Sequence, residues 1–307
     1  MIVEVSQSFQ ECSVLKDAVC VFGVFDGVHQ GHRYVIDQAK NHAVEQGKSF
    51  VVISFAKDPD EIFNAAGLKK LMSNKRRLEV LERIGANCVL ALPSTTEFFG
   101  LTPQEFLEKV FQKNTPFAVH VGKDFRFGKG AQGTFEDLSV WGQFHHMQVV
   151  GYNLFEVENQ PVTASRIRQL LADCRIREAN ALLCNNFALE GVVEVGRQEG
   201  RDMGFRTANV TIPSQLYALG EGVYGAYAVT EEGKRYKAAV SVGGAPTFGE
   251  AAHANVEAHI LDFDQDIYGQ TLRLEFVEFL RPMMIFESLE VLVQTVMGNI
   301  QWCKDNL

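Results

Sequence analysis

The chain has 307 residues, enough for about two domains of ~150 residues each, and its 46% apolar and 22% charged content argues against disorder. Its formal net charge of −9 disfavours a surface that coats nucleic acid or anionic membrane. Six cysteines without CxxC or Cys/His metal spacing, no leader-like N-terminus, and no apolar run near the ~20 residues of a membrane helix together predict a reduced, cytoplasmic protein without a membrane span.

The first half alternates short apolar runs with helical patterns, the signature of a parallel α/β sheet. Residues 19–24 read as a buried strand. Residues 32–46 follow as a helix, with Val35, Ile36, Ala39 and Ala43 on one face and Gly47 placed to stop it. Residues 50–55 form the next strand, 73–84 a helix closed by Gly85, and 88–92 a third strand. Thr102-Pro-Gln-Glu105 has capping-box spacing, with Pro103 at the first helical position. Residues 117–121 and 147–151 complete an expected five-stranded sheet, and helices near 165–172 and 175–183 close this half.

After Asn186 the texture changes to short β-rich runs separated by turn residues, which predicts an antiparallel barrel. A last helix is expected from about 288 to 302. The change of pattern sets two domains, 1–186 and 187–307.

The segment Gly23-Val-Phe25-Asp26-Gly27-Val-His29-Gln-Gly31-His32 runs from a strand end into a helix start. Helix N-termini bind phosphate through unpaired N–H groups, Gly27 and Gly31 permit close backbone approach, and His29 and His32 can face one anion. The bland alternative is a turn whose histidines cap backbone groups. Further on stand Gly122-Lys-Asp124-Phe125-Arg-Phe127-Gly128, at a strand end, and Thr163-Ala-Ser165-Arg166-Ile-Arg168, at a helix start. These residues resemble the HxGH nucleotidyltransferase superfamily. More closely, they are similar to the adenylyltransferase half of bacterial bifunctional riboflavin kinase/FAD synthetases.

The resemblance implies a Rossmann-like domain that joins FMN to AMP. It gives His29 and His32 catalytic roles, and gives nucleotide binding to Gly23, Phe25, Asp26, Gly27, Gly31, Asp124, Thr163, Ser165, Arg166 and Arg168. Phe125 and Phe127 are candidates to stack on a flavin. The chain departs from the family at Gln160 and Pro161, where an Arg is usual, and at Ala164, where a Ser is usual. A third departure is Asp58, where a His is usual; its carboxylate beside phosphate calls for a compensating cation, and Lys57 is adjacent.

The second half carries Gly196-x3-Gly200-x3-Gly204-Phe-Arg206-Thr207-Ala-Asn209. Glycine at every fourth position suits a loop over phosphates, and Thr207 and Asn209 offer hard oxygen ligands for Mg²⁺. This stretch resembles the GFPTAN signature of riboflavin kinases, with Arg206 in place of the proline. The resemblance implies phosphorylation of riboflavin by Mg-ATP, with Gly196, Gly200 and Gly204 on the nucleotide, Thr207 and Asn209 on the metal, and Glu257 as catalytic base. Arg281 is a candidate flavin contact, with a structural salt bridge as its alternative.

The expected partners are therefore riboflavin, FMN/FAD and ATP/ADP, with no nucleic acid and no membrane, and with the oligomeric state left open. Two other readings stand beside this one: a chain with only one working half, and an inactive flavin- or nucleotide-binding regulator. The basic cluster Lys69, Lys70, Lys75, Arg76 and Arg77 reads as the solvated face of an amphipathic helix.

Overall fold

The structure is a computed structural model that describes residues 1–6, 8–63, 69–111, 113–195, 206–213, 215–216, 219–243 and 255–307. These divide into two compact units, Met1–Leu68 with Ser73–Thr163, and Lys69–Met72 with Ala164–Leu307.

The first unit holds a parallel sheet of β1 (Ile2–Glu4), β2 (Val19–Phe22), β3 (Phe50–Phe55), β4 (Cys88–Leu92), β5 (Ala118–Gly122) and β6 (Gln148–Tyr152), in the order β1-β4-β3-β2-β5-β6. The sheet has six strands rather than the expected five. The addition is β1, three partly exposed residues that pair with β4 at the sheet edge. A two-stranded ribbon, β7 (Glu156–Val157) with β8 (Gln160–Pro161), follows β6. Strands β2, β3 and β4 are buried along their whole length, as strands covered on both faces must be.

The helices of this unit are α1 (Gln30–Gln46), α2 (Asp60–Phe63), α3 (Asn74–Arg83), α4 (Thr96–Phe99), α5 (Pro103–Phe111) and α6 (Phe135–Phe144). Gly47 ends α1 in the left-handed region at φ 62°, returning its N–H to the carbonyls of Ala43 and Val44. The capping box before α5 forms: the Thr102 hydroxyl accepts from the Glu105 N–H at 3.3 Å, and the Glu105 carboxylate accepts from the Thr102 N–H at 2.8 Å. Phe22, Phe55, Phe98, Phe99, Phe106, Phe111 and Trp141 fill one core beside β2 and β4.

The second unit begins with α7 (Ala164–Ala172) and α8 (Ile176–Leu183) and continues into a closed barrel. Its strands are β9 (Phe187–Glu194), β10 (Ala208–Thr211), β11 (Gly222–Val229), β12 (Arg235–Gly243), β13 (Asn255–Ile260) and β14 (Thr271–Arg281), ordered β10-β13-β12-β11-β14-β9 around it. Alternation is clean: Phe187, Leu189 and Val193 point inward while Val192 and Glu194 face out, and Val256, Ala258 and Ile260 do the inward work on β13. Asn180 of α8 ties into the barrel twice, donating to the Phe276 carbonyl at 2.8 Å and accepting from the Phe187 N–H at 2.7 Å.

The closing helix α9 (Leu289–Asn306) extends beyond its expected end near 302. Its Trp302 ring occupies the space where a side chain at Gly225 of β11 would stand, so a larger residue there would displace the ring.

Candidate active sites

In the first unit, β2 sits between β3 and β5, and the strand order reverses there. Ligands of open α/β sheets bind in the crevice at such a switch point, beyond the carboxyl ends of the strands. The chain leaving β2 makes a short 3-10 turn (Asp26–Val28) before entering α1. Phe25 (φ 62°), Gly27 (φ 76°) and Val28 (φ 42°) all lie in the left-handed region. That is unusual for a phenylalanine and a β-branched valine, and strain of this kind gathers at functional sites. The ring of Phe25 folds back over Gly23, whose missing Cβ makes the room.

The turn delivers two histidines. His29 is the N-cap of α1, only 5% exposed, and its Nδ1 accepts the His32 N–H at 3.3 Å. In the neutral ring the proton is therefore on Nε2. The His29 and His32 rings stack with centroids 3.6 Å apart, and Phe25 meets His32 edge-on at 5.3 Å. Burial, reinforced by the charges of His29 and Arg77, pushes the His32 pKa well down. Its buried Nδ1 finds no hydrogen-bond partner among the described residues. At neutral pH His32 is thus a neutral imidazole, and with His29 beside it the helix start offers ring N–H donors to an oxyanion. Asp26 is buried at 7% exposure in the same turn, and a Cβ at Gly31 would stand tight against the Val162 carbonyl, at 3.2 Å, and the His29 ring, at 3.3 Å.

Arg77 overturns the expectation that the cluster 69–77 is a solvated face. It is 1% exposed, and one Nη donates to the Val24 carbonyl at 2.6 Å and the Ser54 hydroxyl at 2.5 Å. The other donates to the Phe55 carbonyl at 2.7 Å and to Asn74 at 3.2 Å. One guanidinium thus clamps the chain at the carboxyl ends of β2 and β3, directly before the histidine turn. Lys70 is buried as well, at 4%. Asp58, Asp26 and Glu61 surround Arg77 with negative charge, in that order of effect. Lys57 is exposed, so the cation that answers Asp58 is Arg77. Helical periodicity alone gave no sign of this, because the partners are carbonyls at the ends of distant strands.

The remaining first-half candidates fall as follows. The Asp124 carboxylate lies over Gly122, which leaves space for it by having no side chain. Phe125 is half-buried, with its ring 4.8 Å from Phe22, whereas Phe127 is a core residue, 4% exposed and packed on Phe106. Thr163 is half-buried, and α7 starts at the next residue. On α7, Ser165 is exposed, Arg166 is half-buried, and Arg168 is 9% exposed with its Nε donating to the Lys69 carbonyl at 2.8 Å.

In the barrel, Asn209 stands opposite Glu257 in the β10–β13 ladder, both half-buried on the outer face. Thr207 precedes β10, and its neighbour Arg206 gives its carbonyl to His259 Nδ1 at 2.9 Å. A cavity of about 310 Å³, at the lower end of ligand-site sizes, is lined by Arg206, Thr207, Ala258, Phe263, Asp264 and Tyr268 among others. Sequence reasoning passed over His259 as a partner, since nothing in its spacing points to a carbonyl 53 residues away. Arg281 is half-buried, with its guanidinium 5.6 Å over the Phe286 ring and its Nε without a partner among the described residues. Burial lowers its pKa. Gly196, Gly200 and Gly204 lie outside the described residues.

Comparison with known proteins matches both halves. Residues 12–166 fit the family model described as FAD synthetase, and residues 183–307 fit that described as riboflavin kinase. The chain is 30% identical over 284 residues to a bifunctional riboflavin kinase/FMN adenylyltransferase of Listeria monocytogenes, covering 90% of this chain and 88% of that one. It is also 30% identical over 289 residues to the protein of the same description in Escherichia coli K12, covering 94% and 90%. Among solved structures it is similar to one titled a macrolide-efflux protein from Streptococcus pneumoniae, with a TM-score of 0.86, 27% identity, and 100% and 99% of the two chains covered. Among the described residues of this chain no helix is long and apolar enough to cross a membrane.

Proposed function

We infer, from the premise that this chain belongs to the bifunctional riboflavin kinase/FMN adenylyltransferase family, a division of its two activities between two sets of its own residues. The protein phosphorylates riboflavin to FMN with ATP, and adenylylates FMN to FAD with release of pyrophosphate. We assign the second reaction to residues 1–186 and the first to residues 187–307.

In FMN adenylylation a phosphate oxygen of FMN attacks the α-phosphorus of ATP, the bond to the bridging oxygen breaks, and pyrophosphate leaves. No covalent enzyme intermediate is needed; positioning and stabilisation of charge on the α-phosphate suffice. His29 and His32 supply that stabilisation as N–H donors. The N-terminus of α1, Gly23, Phe25, Asp26, Gly27, Gly31 and Asp124 shape the nucleotide's seat. Thr163, Ser165, Arg166 and Arg168 belong to the motif that the family resemblance assigns to the triphosphate, and the bond from Arg168 to the Lys69 carbonyl gives that arginine a structural task as well. Phe125, rather than the buried Phe127, is the aromatic face for the flavin.

In the kinase reaction the ribityl hydroxyl attacks the γ-phosphorus, its proton passes to Glu257, and ADP leaves. One observation carries this site: the direct pairing of Asn209 with Glu257, which sets an amide-bearing and a carboxylate-bearing residue opposite each other on neighbouring strands, next to the Thr207 segment. Mg²⁺ takes hard oxygen ligands and keeps substrate phosphates and waters around it, and Thr207 and Asn209 offer hard oxygens of that kind. When bound, the ion neutralises charge on the transferring phosphate. The 310 Å³ cavity beside Thr207 takes the nucleotide; the nucleotide roles of Gly196, Gly200 and Gly204 rest on the sequence motif, and Arg281 is assigned to the flavin.

The test is chromatography of flavins made from riboflavin and ATP, with Mg²⁺ or with chelator, in wild type and Thr207→Ala. FMN formation that needs Mg²⁺, and needs more of it in the variant, supports the assignment. An unchanged Mg²⁺ requirement in Thr207→Ala refutes it.

A further inference from the structure

The β10–β13 ladder runs from Thr211↔Asn255 to Ala208↔Ala258, and Thr207 and Arg206 lie beyond its end. Two residues that line the cavity are therefore outside the main-chain pairing that fixes Asn209. The next tie comes from a side chain: His259 Nδ1 meets the Arg206 carbonyl at 2.9 Å. A carbonyl only accepts, so Nδ1 carries the proton and the tautomer is set. Both the neutral Nδ1–H ring and the imidazolium can donate this bond.

Arg206 explains why such a tie matters. A proline at this position would fix φ near −65° without any partner. An arginine leaves that angle soft, at the peptide unit that aims Thr207. His259 restrains the same unit from outside, by its carbonyl. His259 itself sits on β13 two residues from Glu257, on the same outer face and opposite Ala239 of β12 in the ladder, so its backbone is held by pairing.

We propose that His259 is a positioning residue of the kinase site, which fixes the presentation of Thr207 through the Arg206 carbonyl and replaces the restraint that a proline would give. The proposal rests on the assignment of Thr207 and Asn209 to the metal made above. One bond to a neutral carbonyl sets the size of the effect. Its loss raises the KM for Mg-ATP in riboflavin phosphorylation by about tenfold, while adenylylation of supplied FMN changes by less than about twofold, because that site is built from other residues.

The experiment compares His259→Ala, His259→Asn and His259→Phe, each alone, and His259→Ala combined with Arg206→Pro. Asn can place an N–H where Nδ1 was, and Phe keeps the ring without the donor. The expected result is a raised KM in Ala and Phe and a value near wild type in Asn. In the Arg206→Pro background, whatever its own activity, adding His259→Ala should cost much less than it does in wild type. Equal cost in both backgrounds, or equal loss in Asn and Phe, overturns the proposal.

A readout independent of turnover separates this idea from the metal assignment. Hydrogen exchange in a peptide spanning residues 206–210 of the free protein should quicken in His259→Ala and His259→Phe but not in Asn. Faster exchange, together with a silent Thr207→Ala, keeps the tether and discards the metal role. Unchanged exchange in Ala and Phe removes the tether itself.

Discussion

Asn209 on β10 and Glu257 on β13 stand directly opposite each other, with Ser241 of β12 beyond Glu257 and Glu194 of β9 beyond Asn209 in one row across the outer face of the barrel. Strand pairing, not a loop, sets the spacing between the proposed base and the proposed metal ligand. Glu257→Gln keeps the shape and removes the base. Riboflavin phosphorylation should fall by about 10²–10⁴-fold, with adenylylation of supplied FMN unchanged, as read by flavin chromatography. A Glu257→Gln variant that phosphorylates riboflavin at the wild-type rate would take the base role away.

The stacked pair at the start of α1 gives the reciprocal result. His32→Ala and His29→Ala should each reduce FMN adenylylation by about 10²–10³-fold, the cost of losing one preorganised donor. FMN formation from riboflavin should persist in both. Equal loss of the two activities would point to damaged folding instead.

Arg77 carries a structural prediction. Arg77→Met strips the Val24 and Phe55 carbonyls and the Ser54 hydroxyl of their shared donor and leaves buried Asp58 and Asp26 without the cation. Removing one member of a buried charge group costs about 3–5 kcal/mol. Denaturant unfolding followed at Trp141 of α6 would measure it. Arg77→Lys keeps the charge but cannot reach both strand ends at once, so it should fall between wild type and Met. A Met variant as stable as wild type would contradict the clamp.

His120 on β5 predicts a pH effect. Its Nε2 lies 2.8 Å from His42 Nδ1 and its Nδ1 lies 2.8 Å from the Tyr152 hydroxyl. Burial first, and the neighbouring His42 second, lower its pKa to about 4. Below the ordinary histidine range the unfolded chain takes up a proton that the folded chain refuses, so stability falls as pH drops from about 6.5 toward 4. Over that window the loss attributable to His120 is about 3 kcal/mol. His32 is lowered in the same direction and adds to the slope, so His120→Phe should flatten the dependence without abolishing it. Identical slopes in wild type and variant, from denaturation at pH 7 and pH 4.5, would exclude His120 as a source.

Much of this was readable from residue order. The buried runs 50–55 and 88–92 became β3 and β4, and the barrel strands after Asn186 followed their alternation, because burial on one or both faces leaves a periodic trace. The roles proposed for the histidine turn and the Thr207 segment come from residue types and spacing. Three features left no such trace. Strand β1 is too short, at three residues, to show a period. Arg77 sits at a helical spacing that normally faces water, and only the folded strand ends reveal the carbonyls it serves. The partnership of His259 with Arg206 joins β13 to the segment before β10 across 53 residues, a distance over which local pattern carries no information about contact.

The central claim is that one chain performs two reactions at two separate residue sets. Its most direct measurement is FAD formation from riboflavin, ATP and Mg²⁺ by His32→Ala, by Glu257→Gln, and by an equal mixture of the two. In the time wild type needs to convert its riboflavin, neither variant alone should make more than about a hundredth of the wild-type FAD: the first should accumulate FMN and the second should leave nearly all riboflavin unconverted. The mixture should make FAD, through FMN released by one and adenylylated by the other. FAD at a rate near wild type from either variant alone, or FMN at a rate near wild type from Glu257→Gln, would contradict the assignment.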